Sequence, residues 1–517
     1  MTPEWLYAKI MQSPLIAFDT ETTGLDWRHN TICGYVFTFA PGDTIYLPVR
    51  HASGNLENVE EFERAIKDAA KHANTTWIMH NAPFDLMFCA KHGIDFTGRI
   101  HDTGVMAPMV NEYESYYSLE NLCKVHNCEV QKDVDIYRYM ADKFDCEPSK
   151  DLMSRFWELP GDDQYAANYA ITDGDATLEL YYKLRDKISD QELEECWAVE
   201  STLTPILHRI TRRGMKIDQQ RLEEVIHLGR LELKNAEMAL PDDLNTRSPI
   251  QMQKLFTDAG IDDWPETEKG RASFPAKWLA KSELGRKVLT AREWRTLFDT
   301  FLEPMRDKHL YHGRVHTSYA QLRNDEHGTI SGRLSSYEPN LQNLTSVDRH
   351  PEQGKLLRSI FVPDAGYRLY EVDYSQCEVR LAAHVGKIAS WIQGYNADPP
   401  LDAHSVVAQI TGLPRVNAKT VNLAILLGAG KDKAIDMLGV PYEQGEAILE
   451  QYHERFPEIR ALRKAVSEKF VRRGYLRSVL GRRYRLKDSS QGYTGLSRIL
   501  QGGNADVTKL ALTLVDQ

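Results

Sequence analysis

The sequence has no apolar run that approaches the roughly 20 residues needed to cross a bilayer. Its first residues, MTPEWLYAKIMQSPLIAFDTE, show neither a basic start ahead of an apolar core nor a small-residue cleavage site, so no secretory leader is read and a cytoplasmic protein is expected. Cysteine is sparse: seven residues, none in a CxxC pair, an odd count that argues against a disulfide framework and against a zinc site. No internal repeat or low-complexity tract appears. An excess of positive charge is also missing. The formal charge is −11, which weighs against nucleic acid only weakly, because phosphate binding needs a local basic groove and not a basic whole.

What is present is 42% hydrophobic and 26% charged residues, the composition of a soluble globular protein. At 517 residues, and with about 150 residues per domain, three or four compact units are expected. One stretch, Val471 to Lys487, carries seven Lys or Arg and no acid. By itself it suggests a solvated helix end and a hairpin, but the interleaved Tyr475 and Tyr484 suit a strand of nucleic acid.

From Leu15 to Pro48, short apolar runs broken by turn residues predict three neighbouring strands, the start of an α/β domain. A helix is expected over Val59 to His72, a strand over Thr76 to His80, and then mostly helix to about Lys187. The stretch from Glu192 to about Asn324 has long charged amphipathic segments and predicts an elongated helical region. Two further strands are expected at Arg358 to Val362 and Tyr367 to Val372.

Asp19 and Glu21 stand two apart in IAFDTETTGLD, a spacing that puts both carboxylates on one face of a strand. A lone DxE is more often a solvated strand end than a metal site. Its company shifts the balance. In IMHNAPFDLMF, Asn81 is placed to cap a helix that carries Asp85. In YAITDGDATLEL, Tyr169 and Asp173 share a helical face.

DTETTGLD, NxxFD and YxxxD, in this order, resemble the three motifs of DnaQ-like proofreading exonucleases over roughly residues 14 to 187. The resemblance implies that Asp19, Glu21, Asp85 and Asp173 hold two divalent cations and that Tyr169 helps orient the attacking water. Oxygen-only ligands favour magnesium or manganese over zinc. Asp102 and Asp175 are expected to be structural or exposed.

Farther along, YEVDYSQCEVR resembles motif A of family A DNA polymerases, departing at Cys377 and Val379. It implies that Asp373 and the Tyr374 carbonyl ligate two cations, that Gln376 lies at the nucleotide site, and that Glu378 walls the sugar. RVNAKTVNLAILLG places Arg415, Lys419, Leu423 and Leu427 four apart on one stripe. An isolated RxxxK is more often a snorkelling helix end. Here it resembles the fingers helix of the same family, with leucine at both positions where aromatics are usual. That resemblance implies Arg415 and Lys419 at the triphosphate and Leu423 at the sugar. SGRLSSYEPNLQN, DAH at Asp402 to His404, LGRRYRL and LQGGNAD extend it, implying DNA contacts from Arg333, Asn343 and Gln501.

The expected fold is therefore α/β, with a ribonuclease H-like exonuclease domain over 1–187 followed by a right-hand polymerase. Its parts are a helical thumb and connecting region over 188–330, a palm over 331–412, and fingers with the start of the returning palm over 413–517. Family A palms bear a second catalytic carboxylate in a hairpin reading VHDE. No His follows His453, so that motif is expected to be absent and the polymerase domain incomplete. Expected partners are primer-template DNA, deoxynucleoside triphosphates and a C-terminal complementing fragment or processivity factor, with no membrane. The expected activity is phage-type DNA-directed DNA synthesis with proofreading. The competing expectations are a chain active only as an exonuclease, one half of a split polymerase, and a DNA-binding factor without chemistry.

Overall fold

The computed structural model describes residues 1–71, 74–130, 135–267, 269–438 and 440–516. Two compact units emerge. One comprises Met1–Ile210, Ala320–Ser335 and Val372–Gln517, the other Thr211–Tyr319 and Ser336–Glu371.

The first unit opens with helix α1 (Pro3–Gln12) and strands β1 (Leu15–Thr22), β2 (Ile32–Ala40) and β3 (Asp43–Pro48). Helix α2 (Val59–Ala70), strand β4 (Thr76–Met79), helix α3 (Ala82–Lys91) and strand β5 (Arg99–Asp102) follow. The expected end of α2 at His72 lies outside the described residues. The strands form one sheet in the order β3-β2-β1-β4-β5, antiparallel from β3 to β1 and parallel from β1 to β5. β2, ICGYVFTFA, is apolar almost throughout because both faces of the sheet are covered. Alternation along β1 divides the cores: Ile16 and Phe18 pack with Leu6, Ile10, Phe62 and Trp77, while Ala17 packs with Ile78, Met106 and Leu178. Leu178 belongs to α4 (Gln164–Asp190), a long helix that Asp163 starts by accepting from Tyr165 N at 2.9 Å and Ala166 N at 3.1 Å.

After α5 (Glu194–Arg213), the second unit is built on α6 (Gln219–Met238) and α7 (Glu283–Thr296), whose apolar faces meet through Leu222, Val225, Ile226, Val288 and Trp294. It is not wholly helical. Met215–Lys216, Leu310–Tyr311 and Arg314–Val315 make a small antiparallel sheet.

The last part of the first unit contains α8 (Cys377–Val385), α9 (Ala403–Thr411), α10 (Arg415–Leu426), α11 (Tyr442–Arg455), α12 (Pro457–Arg473) and α13 (Gly495–Val515). One apolar core joins them, with Val379, Val407, Val421, Tyr452, Phe470 and Leu500 among its members. Between α12 and α13, Tyr475–Arg477 and Arg483–Arg485 pair as the expected hairpin.

Neither strand expected near motif A forms. Pro351–Arg358 is helical, and Phe361 makes only an isolated bridge to Ile217. Tyr367 to Val372 has the local pattern of a strand, but no strand among the described residues pairs with it, and Tyr370 and Val372 stay 82% and 92% exposed. Local β pattern does not suffice where the ladder hydrogen bonds have no partner.

The basic stretch is also partly redirected inward. Arg482 is buried against Glu200, Arg485 pairs with Glu112 and Arg477 with Glu192. Tyr484 is buried with its hydroxyl donating to Ser331 O at 3.0 Å, so it is a core residue and offers no stacking face. Arg472, Arg473 and Lys487 remain exposed.

Candidate active sites

Strand β1 presents Asp19 and Glu21 on one face, at the register positions opposite Val36 and Gly34. Helix α4 brings Asp173 to the same place. The approach is close because residue 174 is glycine: a Cβ there would lie 2.5 Å from Thr38 Oγ1 and 2.8 Å from Val36 Cγ1. One ligand oxygen from each of Asp19, Glu21 and Asp173 falls within 4.8 Å of the others. Three carboxylates this close repel one another, so a cation between them is favoured. Oxygen-only donors with the helix and strand holding them fit a hard divalent ion.

Asp85 does not join this trio. Its Oδ1 accepts from Thr20 N at 3.0 Å and Thr20 Oγ1 at 2.6 Å, fastening α3 to the β1 residue between Asp19 and Glu21. Burial, and then the charge of Asp19, push its carboxyl well above the usual range. Tyr169 sits one turn before Asp173 on α4, 4% exposed, its ring 5.7 Å from that of Phe156.

Asn81 departs from its expected cap role. It takes a left-handed conformation, φ 65°, and its side chain makes no cap bond. Asp102 replaces it from β5, accepting from Asn81 N at 2.9 Å, Ala82 N at 2.8 Å and Gly104 N at 2.8 Å. Burial raises the Asp102 carboxyl to about 6. Asp175 accepts from Thr44 Oγ1 at 2.5 Å. Both aspartates hold the frame, as their positions in the sequence suggest.

The second constellation is less gathered. Asp373 is exposed on the segment without regular structure, Tyr374 is exposed beside it, and no three ligand-bearing side chains group around Asp373 among the described residues. Gln376, at φ 57°, starts α8 and accepts at Oε1 from Tyr395 Oη and Ala403 N, both at 3.1 Å. Its amide therefore docks α8 against the start of α9. Glu378 pairs with Arg333. Asn343 is exposed on a single helical turn, Leu341–Asn343.

On α10, Arg415 and Lys419 are exposed, while Leu423 and Leu427 lie half-buried against the helical core. Arg415 Nε donates to Asp402 Oδ2 at 2.6 Å. Burial alone would raise the Asp402 carboxyl, but the Arg415 and Ser405 hydrogen bonds hold it down at about 2. Gln501 is half-buried on α13, next to Gly502, where a Cβ would collide with the Tyr484 hydroxyl at 1.9 Å.

Reasoning from sequence missed a buried charge network. Glu200 of α5 meets Arg482 of the hairpin and, at 2.7 Å, Lys509 of α13. Gln321 Nε2 donates to Glu200 O at 2.7 Å. All four are 6% exposed or less. The attractions of Lys509 and Arg482 outweigh burial and hold Glu200 below its usual value. Charged residues scattered over three hundred positions give no local signal of such a cluster.

Residues 215–517 match the model of DNA polymerase family A, and residues 2–189 match that of a 3′-5′ exonuclease. A DNA-directed DNA polymerase of Pseudomonas phage M6 is 28% identical over 99% of this chain and 86% of its own length. DNA polymerase DpoZ of Vibrio phage phiVC8 is 27% identical over 95% of this chain and 85% of its own. DNA polymerase I of Pseudomonas aeruginosa is 26% identical over 99% of this chain and 58% of its own length. The solved POL domain of Pol1 from M. smegmatis, in complex with DNA primer-template and dNTP, aligns with a TM-score of 0.78 at 22% identity. That alignment covers 100% of this chain and 87% of the other, and shows a shared fold.

Proposed function

The chain belongs to DNA polymerase family A, and from that premise we propose that its two constellations act on one primer 3′ end, one adding deoxynucleotides and the other removing them. It is a DNA-directed DNA polymerase with a 3′-5′ exonuclease domain. Primer-template DNA and deoxynucleoside triphosphates, which the M. smegmatis complex contains, are its proposed substrates.

In the editing site, Asp19, Glu21 and Asp173 hold two magnesium or manganese ions, with Asp85 fixing the strand between the first two. Such ions generate a hydroxide-like nucleophile and neutralise charge on the leaving 3′ oxygen. Tyr169 orients the attacking water from the same helical face as Asp173. The convergence of three carboxylates from a strand and a distant helix carries this reading.

In the synthetic site, Asp373 and the Tyr374 carbonyl supply oxygen ligands for magnesium. Arg415 and Lys419 hold the triphosphate. The Asp402 contact takes Arg415 Nε and leaves the two terminal nitrogens of the fork for phosphate oxygens. Gln376, Glu378 and Leu423 border the incoming nucleotide, and Arg333, Asn343 and Gln501 contact DNA.

A second reading, exonuclease chemistry alone, is favoured by the contrast between the gathered editing carboxylates and the solitary, exposed Asp373. One experiment separates them. A labelled primer-template is incubated with the chain and magnesium, with and without deoxynucleoside triphosphates. Shortening without them and extension with them supports both activities. Shortening under both conditions supports the second reading, and no shortening under either overturns the editing site.

A further inference from the structure

A tyrosine two strands away reaches the carboxylate trio through a gap left by glycine. Val36 and Gly34 of β2 stand opposite Asp19 and Glu21 of β1, and Tyr46 of β3 stands opposite Val36. Residues directly opposite share a face of the sheet, so Tyr46 lies on the side that carries the trio. The Tyr46 ring fills the place of a side chain at residue 34, where a Cβ would lie 2.3 Å from Tyr46 Oη. Opposite Cβ positions are about 4.5–5.5 Å apart, which puts the phenol oxygen within the swing of the Glu21 side chain. Burial, then Cys33 and the charge of Glu21, push the Tyr46 phenol well above its usual value.

The phenol proton goes elsewhere. Tyr46 Oη and His51 Nε2 are 2.5 Å apart, and His51 Nδ1 lies 2.8 Å from the Leu159 carbonyl oxygen. A carbonyl only accepts, so Nδ1 carries a proton. Burial favours the neutral ring over the opposite pull of the Leu159 carbonyl, which makes Nε2 an acceptor and Tyr46 Oη its donor. His51 is 6% exposed and firmly held. Its backbone N–H donates to Asn55 Oδ1 at 2.6 Å, its carbonyl accepts from Asn55 Nδ2 at 2.8 Å, and its ring meets that of Phe156 edge-on at 5.6 Å. A phenol has one proton. With it spent on His51, Tyr46 turns only lone pairs toward Glu21.

We propose that His51 is a positioning residue of the editing site: by taking the Tyr46 proton it prevents the phenol from donating to Glu21, and so leaves that carboxylate to ligate a divalent cation with Asp19 and Asp173. The proposal rests on the reading of the trio as a metal site. A hydrogen bond to a carboxylate is roughly twice as strong as one between neutral groups, so an uncommitted phenol beside Glu21 would compete with the cation for its oxygens.

The test is a Mn2+ titration of the full chain by electron paramagnetic resonance, in an Asp373→Asn background that removes the other proposed metal carboxylate. His51→Leu should weaken Mn2+ binding about tenfold, the worth of a hydrogen bond to a charged group. Adding Tyr46→Phe deletes the released donor and should restore the affinity, although the double variant has lost more contacts. General loosening of the site would leave the double variant as weak as the single one or weaker, and that result overturns the proposal, as does an unchanged affinity in His51→Leu. Tyr46→Phe alone should bind Mn2+ as the wild type does, and weaker binding overturns the proposal even where His51→Leu fails to fold. Long-range proton–nitrogen NMR of the wild type labelled with 15N-histidine, the His51 signals identified by their shift in Tyr46→Phe, should show a proton on Nδ1. A proton on Nε2 overturns the proposal with no variant at His51 needed. Absence of Mn2+ binding in the wild type instead overturns the metal reading of the trio.

Discussion

Gly174 and Thr38 are in direct contact across the helix-to-sheet interface: a Cβ at residue 174 would lie 2.5 Å from the threonine hydroxyl. This contact sets how near Asp173 comes to Asp19 and Glu21. Gly174→Ala must push α4 outward or strain the sheet, at a cost of about 1–3 kcal/mol. Exonuclease activity should fall with it, because the three carboxylates separate. Urea unfolding and single-strand degradation measure the two effects, and a variant with wild-type stability and rate would show that the interface is slack.

Breaking the buried network should be more damaging. Glu200→Ala leaves Arg482 and Lys509 as buried charges without their carboxylate, a loss of about 3–5 kcal/mol. The expected result is a lower unfolding midpoint in urea. A midpoint within experimental scatter of the wild type would mean that the network contributes nothing net.

The Asp402–Arg415 pair predicts a pH signature. The folded carboxyl titrates at about 2 against the ordinary 3.8, so folding binds fewer protons in that interval. The stabilisation is fully present above pH 3.8 and is lost as pH falls through about 2. The stability difference between wild type and Asp402→Asn should therefore be constant near neutrality and shrink through that window. A difference that grows on acidification would contradict the pairing.

Much of the carboxylate cluster was legible because its signals are local. A strand period of two places Asp19 beside Glu21, and a helical turn places Tyr169 near Asp173. What could not be read depends on neighbours distant in sequence. Gly174 looks like any helix glycine until Thr38 is set against it. Asn81 looks like a cap, but the turn puts it at φ 65° and Asp102 arrives from another strand to cap in its place. Arg482 and Tyr484 look like a nucleic-acid surface, but the fold spends both inside. Tyr367 to Val372 has a strand's composition without a partner to complete its ladder.

On α10, Lys419 and Leu423 should separate by the kind of defect their loss causes. If Lys419 holds the triphosphate as proposed, Lys419→Ala should remove charge stabilisation that grows at the phosphates, on the order of 3 kcal/mol and hence about a hundredfold in incorporation rate. Leu423→Phe changes an apolar wall and should cost about 1–2 kcal/mol, shown mainly as altered nucleotide selectivity. Single-turnover incorporation on a primed template measures both. A wild-type rate for Lys419→Ala with a crippled Leu423→Phe would reverse the two roles.

The most direct test of the account is hydrolysis of a labelled single-stranded DNA from its 3′ end by the wild type and by Asp19→Ala in magnesium. Asp19 belongs to the trio whose oxygens lie within 4.8 Å of one another. Removing it should take away metal-held charge stabilisation of several kcal/mol, a loss on the order of a thousandfold or more. Stepwise shortening by the wild type, abolished in Asp19→Ala while DNA binding persists, is the predicted result. Equal shortening by the two proteins would contradict the assignment of this site.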